Sequence, residues 1–338
     1  MKITLKFLPV FFLLISCGSS SRINSEKDAD FVVAFGSCNR EDEPQPLWKD
    51  ILKNDPDVFL WGGDNIYSDT DNAEKMKADY AAQKQNKDYQ KVLDKMTVLG
   101  TWDDHDYGLN DGGKEWDFKE ESQQLFLDFM NVPENSKRRS REGVYHAEIF
   151  NTSKGSIKVI LLDTRYFRDN LKENIDPDKR YGPSEGTILG TEQWAWLEDE
   201  LRSSEADFNI ILSSIQVLSA EHGFETWGNF PSEVEKLKNL IVTSEAKNVI
   251  LLSGDRHISE FSVTKVEGLQ YPLIDFTSSG LTHTYEEFSG EPNQYRVGEV
   301  VKDKSFGLLK FNFETGTVLM EMRGENNELQ QNYEVKFQ

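Results

Sequence analysis

The chain has 338 residues, with 59 acidic against 38 basic side chains and a formal charge of −21. That length is enough for one large α/β core, and the charge argues against a nucleic-acid polymer or an anionic lipid face as binding partner, because a long-range negative field repels polyanions. A small anionic ester meets the same repulsion unless cations are local to its site, and multivalent metal ions are the strongest such source.

At the N-terminus, Lys2 and Lys6 flank an apolar run from Phe7 to Ile15 that is too short to span a bilayer of about 30 Å. The run closes on Leu14, Ile15, Ser16, Cys17 and Gly18, which resembles the lipobox of a bacterial lipoprotein. This implies cleavage before Cys17 and lipid on its thiol, with an ordinary signal peptide as the alternative. Residues 1–17 are therefore expected as a signal, residues 18–30 as a polar tether, and the folded domain over 31–338. The chain would be exported and held in the cell envelope, at the outer membrane or periplasmic face, by its lipid. No other apolar run approaches about 18 residues, so no transmembrane helix is expected.

Six apolar, mostly β-branched or aromatic segments then stop on polar residues: FVVAFGSC at Cys38, DVFLWGGDNIY at Asp64 and Tyr67, TVLGTWDDHD at Asp104 and His105, IKVILLDTR at Arg165, NIILSSIQ at Gln216, and NVILLSGDRH at Asp255 and His257. In an open α/β sheet, ligands bind beyond the carboxyl ends of the strands. Helical spacing appears between these segments, over 46–54, over 119–130, after a Thr191 cap, and after a Ser232/Glu235 capping box. Residues 69–95 are polar and expected to be helical. After His257, short strand-like segments follow one another with turns between, which predicts a second, mostly antiparallel sheet packed on the first.

With Cys17 lipidated, Cys38 has no disulfide partner and is either a small buried hydrophobe or a metal ligand. The glycine turn at Gly62 and Gly63 can aim Asp64 into the crevice so that it bridges two ions, with Tyr67 returning to the same ion as a phenolate. The alternative is an aspartate in a tight turn and a core tyrosine. Asp103, Asp104 and Asp106 crowd around His105, with Asn110 and Asp111 close behind. Carboxylates so close raise one another's pKa unless a cation intervenes, although a run of acids can also be a solvated face. Asp255 and His257 are two apart, and an extended backbone would point both side chains the same way, toward one metal centre.

Taken together, FGSCN, PDVFLWGGDNIYSD, WDDHDYGLND, GVYH, ILLDTRYFRD, LGTEQWAWLEDEL, LLSGDRH and FTSSGLTH resemble, in order over about residues 31–285, the PhoD-like alkaline phosphatases of the calcineurin-like metallophosphoesterase superfamily. The resemblance implies a four-layer αββα sandwich of two mixed sheets flanked by helices. It also implies a dinuclear or larger centre, Fe3+ with Ca2+, with Zn or Mn as other options. Cys38, Asp64, Tyr67, Asp103, Asp104, Asn110, Asp255 and His257 are its expected ligands.

The activity implied is hydrolysis of a small phosphate ester, monoester or diester, by a metal-activated hydroxide. His105 would assist the leaving group and Arg165 would hold a phosphoryl oxygen, unless Arg165 is spent in a salt bridge. Gln216, His222, Trp227, Ser279 and His283 are candidates for the pocket lining, Trp227 being otherwise a core residue. The alternatives are a phosphodiesterase or phospholipase-type hydrolase of the envelope, a metal-dependent binding lipoprotein that has lost turnover, and a calcium-stabilised adhesion module. No protein partner is evident in the sequence.

Overall fold

The computed structural model describes residues 29–337, so Cys17 and the expected signal segment lie outside the described residues. In chain order, β1 (Phe31–Gly36), β2 (Val58–Gly62) and β3 (Thr97–Thr101) come first, followed by β4 (His146–Asn151), β5 (Ser156–Leu161), the short ribbon β6 (Lys172–Glu173) and β7 (Tyr181–Gly182), β8 (Phe208–Leu212) and β9 (Val249–Ser253). The chain ends with β10 (Ser259–Thr264), β11 (Leu273–Ser278), β12 (Arg296–Val301), β13 (Phe306–Asn312), β14 (Thr317–Arg323) and β15 (Leu329–Lys336).

One sheet has six strands, ordered β15-β14-β13-β1-β2-β3, and the other seven, ordered β12-β10-β11-β9-β8-β5-β4. In the first, β1, β2 and β3 run parallel while β13, β14 and β15 are antiparallel. In the second, β5, β8, β9 and β11 run parallel, with β4 and β10 antiparallel to their neighbours. Both sheets are thus mixed, which corrects the expectation that the strands after His257 build a sheet of their own. They divide between the two, β10 to β12 extending one and β13 to β15 the other.

Alternation along β1 explains the layering. Phe31, Val33 and Phe35 face an apolar core shared with Ile210, Ile250 and Phe276 of the opposite sheet, whereas Val32 and Ala34 face outward. That outer face is covered by α1 (Trp48–Lys53), α2 (Ala73–Gln85), α3 (Lys87–Lys95) and α5 (Lys119–Phe129), which follow and precede the single-turn α4 (Asp104–Tyr107). The outer face of the seven-stranded sheet is covered by α6 (Gly190–Arg202) and α7 (Pro231–Ser244). Helix, sheet, sheet and helix stack in that order. Among the described residues no helix is long and apolar enough to cross a membrane.

Local details depart from the sequence expectation where one residue outcompetes another. The polar stretch 69–95 is two helices, broken at Asn86, whose extended backbone stops the first while its side chain accepts from the amides of Asp88 and Tyr89 to cap the second. Thr191 lies inside α6, not at its cap. Ser232 likewise lies inside α7, because Pro231 takes the first helical position, where its missing N–H costs nothing and its fixed φ suits the turn.

Candidate metal centre at the strand ends

Left-handed backbone aims the ligating side chains. Cys38 (φ 58°), Asp64 (φ 49°), Asp255 (φ 68°) and His257 (φ 55°) all lie in a region that side chains bearing a Cβ seldom adopt, and each follows directly on β1, β2 or β9. Strain of this kind persists where the surroundings over-determine it, and it gathers at functional sites. Gly63 is needed for the approach: a Cβ there would lie 2.5 Å from the Cβ of Asp103. A Cβ on Gly254 would lie 2.5 Å from the Ser37 hydroxyl, so β9 can end against β1 only with glycine.

Three groups of donor atoms result, each lying within 4.8 Å of one another: Cys38, Asp64 and His257; Asp64, Asp104 and His105; and Asp103, Asp104 and Asp255. Asp64 belongs to the first two, Asp104 to the last two. The Cys38 thiol lies 3.2 Å from Asp64 Oδ2 and 2.9 Å from the Ser279 hydroxyl. Tyr67 donates its phenol to the same Asp64 oxygen at 3.1 Å and lies 3.0 Å from His257 Nε2. The Asp111 amide donates to Asp104 Oδ2 at 2.7 Å.

Electrostatics test whether cations fit among these donors. Burial first, then the neighbouring Cys38, Asp104 and Asp103, push the Asp64 carboxyl well above its usual range. Burial and Asp103 do the same to Asp255, and burial pushes Asp103 up to about 7 although Arg165 opposes it. Burial pushes the Cys38 thiol up to about 12 and holds His257 down to about 3, which keeps its imidazole neutral and able to ligate. Several acids forced toward their neutral forms beside a neutral histidine are the donor set that cations would ionise and hold. The residues fit.

His105 behaves differently. Burial opposes its charge, but Asp104, Asp64 and Asp69 outweigh burial and push it up to about 11. Its Nδ1 is taken by Asp69 at 2.7 Å, and the ring stacks on Tyr67 at 4.1 Å between centroids. Any contact it makes in the cleft must therefore run through Nε2.

Other expected residues stand elsewhere. Asp255 and His257 do not share an extended segment; with both in left-handed turns they diverge, Asp255 toward Asp103 and Asp104, and His257 toward Cys38 and Asp64. Arg165 does not reach the cleft: it is fully buried behind Asp103, with Nε 2.6 Å from Asp103 Oδ1 and Nη1 2.6 Å from Glu225 Oε2. Asp103 is thus shared with Arg165 and Ser214, which donates to the same oxygen at 2.7 Å. Gln216 is buried against Glu260 and Thr277, His222 is buried, and Trp227 is a core residue donating to the Ser213 hydroxyl at 3.0 Å. Ser279 is buried and does not line this cleft; it supports Cys38 and accepts from the His257 amide at 2.7 Å. His283 packs against Tyr67 and His257 at the edge of a neighbouring groove.

The cleft over the donors has a volume of about 380 Å³. Asn110 lines it, donating to Asp111 at 2.9 Å. Sequence reading missed the wall that faces the donors: Arg180, Phe224, Glu225, Arg256 and Tyr285. Arg180 and Phe224 come from stretches without strand or helix period, and nothing local marked them. Arg256, flanked by two expected ligands, was the one legible signal.

Two mixed sheets between helical layers, with carboxylates, a thiol and imidazoles gathered at the strand ends, define the metallophosphatase class of fold. A solved structure of PhoD superposes with a TM-score of 0.71 at 18% identity, covering 90% of this chain and 68% of that one, and a dimetal phosphatase from Danio rerio with 0.57 at 13%, covering 92% and 100%. The sequence places the chain more narrowly: the family model for PhoD-like phosphatase matches residues 31–325, and the chain belongs to that family. Alkaline phosphatase D of Bacillus subtilis (strain 168) is 29% identical over 140 residues, 36% of this chain and 24% of that protein, so the match spans about a quarter of that relative's length.

Proposed function

We propose that this chain is a metal-dependent hydrolase of small phosphate esters. The observation that carries this reading is the sharing of Asp64 and Asp104 among three adjoining donor groups at the floor of one cleft. Metal ions held by Cys38, Asp64, Tyr67, His257, Asp104, Asp255 and Asp103 would supply Lewis-acid neutralisation of phosphoryl oxygens and a water of lowered pKa. Sulfur, phenol and imidazole on one side suit iron or another transition metal, and carboxylates on the other suit calcium.

The protein's own groups supply the rest. Asp69 fixes the Nδ1 edge of His105, so Nε2 can donate a proton to the leaving oxygen. Phe224 and Tyr285, with rings 6.4 Å apart, form an aromatic part of the cleft wall against which an apolar portion of an ester could pack. Export and a lipid anchor on Cys17 belong to the same reading and are supported by the N-terminal sequence.

Turnover of a chromogenic phosphomonoester and of a phosphodiester by the metal-loaded protein tests the proposal. Hydrolysis of either, abolished by chelation and restored by metal, is expected. Metal bound with neither ester cleaved would make the chain a binding protein instead.

A further inference from the structure

We propose that the guanidinium of Arg256, beside Asp255 and His257, binds a substrate oxyanion in the cleft; this rests on the hydrolase reading above. Arg256 sits between two candidate ligands in sequence, lines the cleft, and is 7% exposed. Its Nη2 donates to Glu291 Oε2 at 2.7 Å, and its guanidinium carbon lies 4.2 Å from the centre of the Phe224 ring. Its Nε has no hydrogen-bond partner among the described residues.

A guanidinium carries five N–H donors, and a buried charged donor left unpaired is strongly disfavoured unless something else satisfies it. The other buried arginines of this region are held by carboxylates away from the cleft wall: Arg165 lies between Asp103 and Glu225, and Arg168 pairs with the other oxygen of Glu225. Arg180, the other arginine lining the cleft, pairs with Asp111 at 2.8 Å and is half exposed. Among the described arginines, Arg256 alone combines deep burial, position in the cleft wall and a donor without a partner in the protein. Its planar fork, lying over the Phe224 ring, has the geometry to meet two oxygens of a phosphoryl group.

The alternative is that Arg256 only ties the 254–258 turn to Glu291. Titration of inorganic phosphate into the metal-loaded full chain by calorimetry, with metal content measured in parallel, separates the two. R256Q is expected to weaken phosphate binding about 10- to 100-fold at unchanged metal content, with R256K recovering part of the loss. E291Q, which removes the charge and so weakens the tie but keeps the arginine, is expected to bind phosphate at least as tightly as the parent.

Equal losses in R256Q and E291Q, loss of metal from R256Q, unaltered affinity in R256Q, or a parent that binds no phosphate would each overturn the proposal. The binding readout needs no turnover. Ester hydrolysis with phosphate affinity unaltered in R256Q sinks this inference and leaves the hydrolase reading standing; phosphate binding that depends on Arg256 without any ester cleavage does the reverse.

Discussion

The two sides of the candidate centre differ in their donors and in what supports them. Around Cys38, Tyr67 and His257 the donors are neutral when no cation is bound, since burial drives the thiol up to about 12 and the imidazole down to about 3, and their support is the Ser279 hydroxyl. Around Asp103, Asp104 and Asp255 the donors are carboxylates, and their support is the fully buried Arg165 with its second partner Glu225. The first side is braced by a neutral hydroxyl; on the second, Asp103 is tied to the fully buried Arg165. Asp64 is the donor that the first side shares with Asp104 and His105.

The sharpest way to break this contrast is Asp64→Ala, which removes the shared donor. Loss of ester hydrolysis and of metal from both sides is expected, measured by turnover and elemental analysis; retention of full metal content would show that the sides do not share it. His105→Ala is expected to lower turnover about 10²- to 10⁴-fold, the usual contribution of a positioned proton donor, with metal content nearly unchanged. Metal loss there would make His105 a ligand.

Arg165→Met leaves Asp103 buried without its cation and Glu225 with Arg168 alone, and a broken buried pair costs about 3–5 kcal/mol. Chemical denaturation of the metal-free protein reads this, and a near-parental midpoint would remove the carboxylate side from the fold's support. Ser279→Ala acts on the other side and is expected to weaken metal binding about 10- to 100-fold, as loss of a group that orients ligands does, without a matching loss of stability.

The smallest effect expected is from Asp69→Asn. Asp69 helps to hold the proton on His105, so its neutralisation lowers that pKa, and the alkaline limb of the pH–turnover profile moves to lower pH. An unmoved limb would place the titrating group elsewhere.

How far the sequence led follows from what is local and what is distant. Strand ends carrying Cys38, Asp64, Asp104 and His257 were legible because each is an apolar run stopped by a polar residue, a signal contained within ten positions. The division of β10 to β15 between two sheets was not, because pairings such as Phe31 with Phe311 join residues far apart in the chain and no local pattern specifies them. For Arg165 the salt-bridge alternative is the one the structure shows, but its partners, Asp103 and Glu225, are 62 and 60 residues away and could not be named from the local sequence. The shared direction expected for Asp255 and His257 assumed an extended backbone, and left-handed turns at both residues undid it.

The most direct test of the shared centre is anomalous diffraction from crystals of the metal-loaded protein, with data at the absorption edges of the metals it retains. The account predicts at least two peaks, one within bonding distance of Cys38, Asp64 and His257 and another bounded by Asp104, with Asp64 touching both. A single peak, or two that do not share Asp64, would contradict it.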